Sequence, residues 1–176
     1  MFTTDGISKP VSSTSTDTAM VGFPSSVVKS LTASARFGVR TLDPALVAPA
    51  PELVVGDMSF ISLTLVLPAL VAAAAPHADF LLMVKPQFEI GKDRLGHGGV
   101  VRNPEHHIET VEKVARCAIE LGLDIAAIAA SPLPGPSGNV EYFVHMRRDY
   151  PEPIDPSELT DYIRAAVAAG PAGGHS

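Results

Sequence analysis

The chain is 176 residues long, a length that suits one domain able to bury roughly two-thirds of its unfolded surface. With 46% hydrophobic and 18% charged residues it is not a wholly disordered chain, and a formal net charge of −6 excludes a whole-chain basic field that would draw in nucleic acid or an anionic membrane. A single cysteine, Cys117, excludes an internal disulfide framework and suits helix packing in a reducing cytoplasm.

Residues 1–26 are dominated by Ser, Thr, Gly and Pro without helical or strand period, which predicts a disordered leader, and they carry no secretory signal. Residues 27–50 predict one short helix, one strand and a Pro/Ala linker. Leu53 to Asp57 is a short apolar run that stops at an acid, and Ser59 or Ser62 can cap the helix drawn from there to Ala75. The most apolar stretch, Ile61 to Ala75, contains Pro68 and falls short of the roughly twenty residues that cross a bilayer, so it reads as a buried helix.

Asp79 to Val84 is a second buried strand, stopped at Lys85-Pro86 because proline cannot continue the ladder. A glycine-rich loop from Gly91 to Asn103 leads into an amphipathic helix, Pro104 to Leu121, with Ile108, Val111, Val114, Ala115 and Ala118 mainly on one face. Pro104 suits the first helical position and Gly122 the position beyond the last turn. Ile125 to Ala130 is a third strand, SPLPGPSGN is a turn, and Glu141 to Arg147 is a strand expected to close an antiparallel hairpin at a sheet edge. A helix from Pro156 to Ala169 and a flexible tail, 170–176, end the chain.

This order predicts an α/β fold, a mostly parallel sheet finished by a terminal antiparallel strand. Ligands in such sheets sit beyond the carboxyl ends of the strands. Asp57 and Lys85 lie at those ends, and Glu141 arrives from the opposite chain direction. A lysine between two carboxylates can orient a hydroxyl and stabilise developing oxyanion charge. On spacing alone, the same three residues read first as a helix cap, a solvated strand end and a surface acid.

Four further features carry two readings each. Gly96, Gly98 and Gly99 beside Lys92, Arg94 and Arg102 form either a phosphate-contacting, RNA-binding loop or a plain solvated one. His97, His106 and His107 have no metal-ligand spacing, so no metal is expected. Pro132, Pro134 and Pro136 with Gly135 and Gly138 set either a turn that aims Glu141 inward or an ordinary edge loop. Phe60 and Phe88, three residues after Asp57 and Lys85, are read first as core packing and second as pocket residues that contact a base.

The segments GDMSFISLTLVLPAL, LLMVKPQFEIGK, GHGGVVRNP and ASPLPGPSGNVEYFVHMR follow one another in this order. From Pro51 to Arg148 they resemble consecutive segments of the TlyA (hemolysin A) family of FtsJ-like ribosomal RNA 2′-O-methyltransferases. That resemblance implies a Rossmann-like class I methyltransferase fold, S-adenosylmethionine as donor, and ribosomal RNA or a ribosomal subunit as partner. It also implies a Lys-Asp-Lys-Glu tetrad in which Asp57 matches the aspartate, Lys85 the second lysine and Glu141 the glutamate, with Asp57 and Met58 beside the donor.

The departures carry expectations of their own. Nothing between Met1 and Pro51 matches the family's first lysine, its DxGxSTGGF donor loop or its usual RNA-binding domain; Lys9 and Lys29 stand in no matching context, and RFGVRTLDPALV echoes a piece of the second strand region. They predict an amino-terminally truncated domain over 51–169, weak donor binding, and self-association through an exposed sheet edge. The alternatives are a catalytically silent remnant that binds RNA or a partner, or the product of a truncated reading frame. A membrane-active role is not expected, because Asp57 and Pro68 interrupt the candidate segment.

Overall fold

In the computed structural model, residues 42–135 and 137–173 are described. The expected leader at 1–26, most of the 27–50 segment with Lys9 and Lys29 upstream of Leu42, Pro136 and the end of the tail lie outside the described residues.

Four strands, β1 (Leu53–Asp57), β2 (Asp79–Val84), β3 (Asp124–Ala130) and β4 (Tyr142–Arg147), hydrogen-bond in the order β1-β2-β4-β3. β1 and β2 run parallel, and β4 runs antiparallel to both β2 and β3. β1, β2 and β3 therefore point the same way, as an α/β fold with one reversed strand requires. The expected hairpin between β3 and β4 forms at an edge of the sheet, with β3 outermost among the described residues and β4 as an inner strand. Its Tyr142, Val144 and Met146 are fully buried, and its backbone groups are paired on both sides.

The register sets the functional residues. Val84 pairs with Tyr142, so Lys85 and Glu141, each one step beyond that pair, are brought side by side. Asp57 pairs with Met83, two residues from Lys85 and hence on the same face of the pleat.

Among the described residues four helices accompany the sheet: α1 (Leu67–Ala73), α2 (Pro86–Glu89), α3 (Pro104–Glu120) and α4 (Leu159–Ala169). Val54, Phe80, Leu82, Val84 and Val144 of the sheet join Leu67 and Leu70 of α1, Val111, Val114 and Ala118 of α3, and Leu159 and Ile163 of α4 in one core. α3 starts as the sequence indicated, with Asn103 Oδ1 accepting from the Glu105 N–H at 3.0 Å and Pro104 in the first turn; Gly122 beyond it takes a φ of 79°. Half-buried Cys117 lies on α3, its Sγ 3.9 Å from the Thr64 carbonyl.

Two proline positions depart from expectation for one reason. The helix expected from Ser59 or Ser62 to Ala75 divides into a 3-10 turn at Leu63–Leu65, capped by Ser62, and α1, which has Pro68 in its first turn. Pro86 likewise starts α2, an element the sequence reading did not contain. Proline ends a ladder because it lacks an N–H, and the same lack lets it open a helix. α4 begins at Leu159, three residues later than expected, because Asp155 Oδ1 holds Ser157 in a turn through both its N–H and its hydroxyl.

On the other sheet face Val55 is exposed beside its register partner Leu81, and β1 is an outer strand among the described residues. No helix among the described residues is long and apolar enough to cross a membrane.

Candidate active site

The strand ends bring Asp57, Lys85 and Glu141 together. Lys85 Nζ lies 2.6 Å from Asp57 Oδ1 and 3.3 Å from Glu141 Oε1, and it donates to Ser59 Oγ at 3.4 Å. The Lys85 and Glu141 side chains are 10% and 8% exposed, whereas that of Asp57 is 63% exposed. The ammonium is thus enclosed on the Glu141 side and open on the Asp57 side. Burial works against its charge, but the hydrogen bond to Asp57 and the fields of Glu141 and Asp57 together outweigh burial and hold its pKa above the ordinary lysine value.

Glu141 Oε1 lies within ion-pair range of Lys85 yet is not aligned for a hydrogen bond, and it is buried without a hydrogen-bond partner. A buried acceptor left open beside an ammonium is a place where a ligand hydroxyl can donate.

Backbone hydrogen bonds fix the turn that leads to Glu141. Gly135 N–H donates to the Asn139 carbonyl at 2.8 Å, Gly138 N–H to the Gly135 carbonyl at 2.8 Å, and Ser131 N–H to the Glu141 carbonyl at 2.7 Å. A Cβ at Gly135 would stand 2.7 Å from Glu141 Oε1, so the carboxylate occupies the space a larger residue would take.

Two buried polar residues next to this turn were not singled out as functional from sequence. Asn139 accepts from the Val101 N–H at 2.9 Å and donates to the Gly99 carbonyl at 3.0 Å, which bolts the glycine-rich loop to the turn carrying Glu141. His107, on α3, has Nε2 at 2.9 Å from the Val101 carbonyl and Nδ1 at 3.0 Å from the Tyr142 hydroxyl. Those partners select the neutral imidazole with its hydrogen on Nε2. The only sequence signal for His107 was a polar side chain on the apolar face of its helix, and Asn139, in a turn-rich segment, carried none.

Phe60 overturns the core-packing expectation. It is 91% exposed, has a φ of 65°, and presents its ring 5.0 Å from that of half-buried Phe88. Met58, between Asp57 and Phe60, is half-buried.

In the glycine-rich loop, Gly91, Gly98 and Gly99 have φ values of 88°, 76° and 74°, conformations that favour glycine. Arg94 forks onto both carboxylate oxygens of Glu109, and Arg102 donates to the His97 carbonyl at 3.4 Å. Lys92 makes no ion pair among the described residues. No cluster of three or more His, Cys, Asp or Glu that could hold a metal occurs among the described residues.

Comparison with known proteins gives the family. A sequence model of the FtsJ-like methyltransferase family matches residues 25–148. The match starts upstream of Pro51 and so takes in the whole 27–50 segment. The chain is 47% identical over 136 residues to the 16S/23S rRNA (cytidine-2′-O)-methyltransferase TlyA of Mycobacterium tuberculosis, covering 77% of this chain and 51% of that protein. It is 36% identical over 96 residues to YqxC of Bacillus subtilis, provisionally named an rRNA methyltransferase, covering 54% of this chain and 34% of that one. A solved structure from Streptococcus thermophilus, provisionally described as a hemolysin, superposes with a TM-score of 0.65 at 31% identity, covering 74% of this chain and 48% of that chain. The chain spans about half the length of the TlyA relative and about a third of YqxC.

Proposed function

The chain belongs to the FtsJ-like methyltransferase family, and from that membership we propose that it serves methyl transfer to a ribose 2′-hydroxyl of ribosomal RNA, with Asp57, Lys85 and Glu141 as its catalytic residues. The observation that carries this reading is the Lys85 ammonium held between two carboxylates at the carboxyl ends of β1 and β2. Lys85 stabilises negative charge as it develops on the hydroxyl oxygen. Asp57, the exposed member of the pair, accepts the hydroxyl proton, while Glu141 keeps the ammonium charged and oriented. Relatives named for rRNA methylation support this choice of acceptor, and on this reading the protein works on a ribosomal subunit in the cytoplasm.

S-adenosylmethionine is the donor that the family implies, and it supplies the methyl group when bound. The fit of the described residues to it is partial. Asp57 and Met58 would border it, whereas the glycine-rich loop through which the family admits a close approach of backbone to the donor belongs upstream of Pro51, where this sequence has no match to it.

The RNA side of the reading uses the exposed Phe60 ring as a surface for a base and Lys92, with Arg94 and Arg102, as phosphate contacts. The lack of a match to that donor loop between Met1 and Pro51 favours a second reading, an RNA- or partner-binding protein that does not transfer methyl groups. Transfer of labelled methyl to ribosomal RNA, measured for the protein and for Lys85→Ala, decides between them. Activity that Lys85→Ala abolishes supports the first; equal activity in both proteins removes Lys85 from catalysis. Absence of saturable S-adenosylmethionine binding by calorimetry, with RNA binding retained, establishes the second.

A further inference from the structure

The chain after β1 leaves regular structure at Met58 and re-enters it at Leu63, yet it holds Phe60 at a positive φ that a bulky residue keeps only where its surroundings dictate it. Three side chains from the segment after β2 grip this loop in sequence. Lys85 takes Asp57 and Ser59, the Phe88 ring lies against Phe60, and Glu89 takes Ser62 and Leu63. The Glu89 contacts are short: Oε1 accepts from the Leu63 N–H at 2.6 Å and Oε2 from the Ser62 hydroxyl at 2.5 Å.

The Glu89 side chain is 1% exposed, a costly place for a carboxylate. α3 supplies the counter-charge: Lys113 Nζ is 3.5 Å from Oε2 and donates to the Glu89 carbonyl at 3.0 Å. The 3-10 turn at Leu63–Leu65 is already capped by Ser62, which accepts from the Thr64 N–H at 3.3 Å. A buried acid and its lysine are more than that turn requires.

We propose that Glu89 is a positioning residue which anchors the far end of the Met58–Ser62 loop, so that Lys85, Phe88 and Glu89 together fix Asp57 and the Phe60 ring in one orientation. Its effect on catalysis rests on the methyl-transfer reading above, whereas its effect on loop order does not.

The chain has no tryptophan, so Phe60→Trp introduces a single indole whose fluorescence anisotropy reports the order of this loop. In that background Glu89→Ala lowers the anisotropy, Ser62→Ala lowers it less, and Glu89→Gln, which keeps an oxygen for the Leu63 N–H, restores most of it. In the otherwise native chain Glu89→Ala reduces kcat by roughly tenfold to a hundredfold with a smaller change in KM, and Glu89→Gln recovers much of the loss. Unchanged anisotropy in Glu89→Ala, with circular dichroism matching the parent, overturns the proposal. Should Glu89→Ala not fold, the result for Ser62→Ala decides alone: a looser indole supports the anchor and an unchanged one refutes it. Absence of methyl transfer in the parent defeats the proposed function and leaves the anisotropy result standing.

Discussion

Gly135 leaves room for the Glu141 carboxylate, whose Oε1 stands 2.7 Å from where a Cβ on Gly135 would be. Gly135→Ala therefore displaces the far end of a flexible side chain instead of the backbone, so stability changes by no more than about 1 kcal/mol. The displaced end is the part that faces Lys85. The expected result is a nearly unchanged urea midpoint together with a loss of methyl transfer of about tenfold or more. A large stability loss, or full activity, would show that the turn does not aim Glu141.

Lys85 neutralises a carboxylate that is itself buried. Lys85→Met leaves Glu141 without its cation and is expected to cost about 1–3 kcal/mol in urea denaturation, and adding Glu141→Gln should return part of that. The pH dependence follows from the raised pKa. The pairing stabilises the protein fully below the ordinary lysine value of 10.5 and is lost as pH rises through the higher folded value. Between pH 7 and 10 the difference in stability between the protein and Lys85→Met should stay constant, and it should shrink above that range. A difference that shrinks near neutrality would contradict a charged Lys85.

His107 titrates in the opposite sense. Burial, only partly opposed by the Val101 carbonyl, lowers its pKa below the ordinary 6.5. Its neutral form is the folded form, so this contribution is fully present above pH 6.5 and is lost as pH falls from there through the lower folded value. His107→Gln, which keeps a donor for Val101 and an acceptor for Tyr142, should be less stable than the protein near pH 7.5. The gap should narrow toward pH 5. Parallel melting curves across that range would exclude His107 as a source of acid sensitivity.

What the sequence disclosed, and what it withheld, divides along physical lines. The four strands were legible as short apolar runs, and Asp57, Lys85 and Glu141 as polar residues where those runs stop or start. The inner place of β4 was not, since Tyr142, Val144 and Met146 alternate with Phe143 and His145 in the same way on an inner or an edge strand. α2 was hidden because Pro86 both ends one element and opens the next. Glu89, Asn139 and His107 depend on partners more than twenty residues away, or on a carbonyl across a loop, and no local pattern names such partners.

Phe60 misled for a related reason: an aromatic residue in an apolar run reads as core, and only the backbone shows its positive φ and its exposure. That exposure makes its contribution separable from folding. Phe60→Ala removes a ring that is 91% exposed, so the melting temperature should move little. If the ring receives a base of the RNA acceptor, the lost stacking amounts to about 1–3 kcal/mol. It should appear as a rise in KM for RNA of roughly tenfold, with S-adenosylmethionine binding untouched. Phe60→Asn sharpens the comparison, because asparagine tolerates the left-handed region better than phenylalanine. It should stabilise the loop while weakening RNA binding as much as Phe60→Ala does. Equal KM values for RNA in all three proteins would remove Phe60 from the acceptor site and leave its exposed ring without a role in methyl transfer.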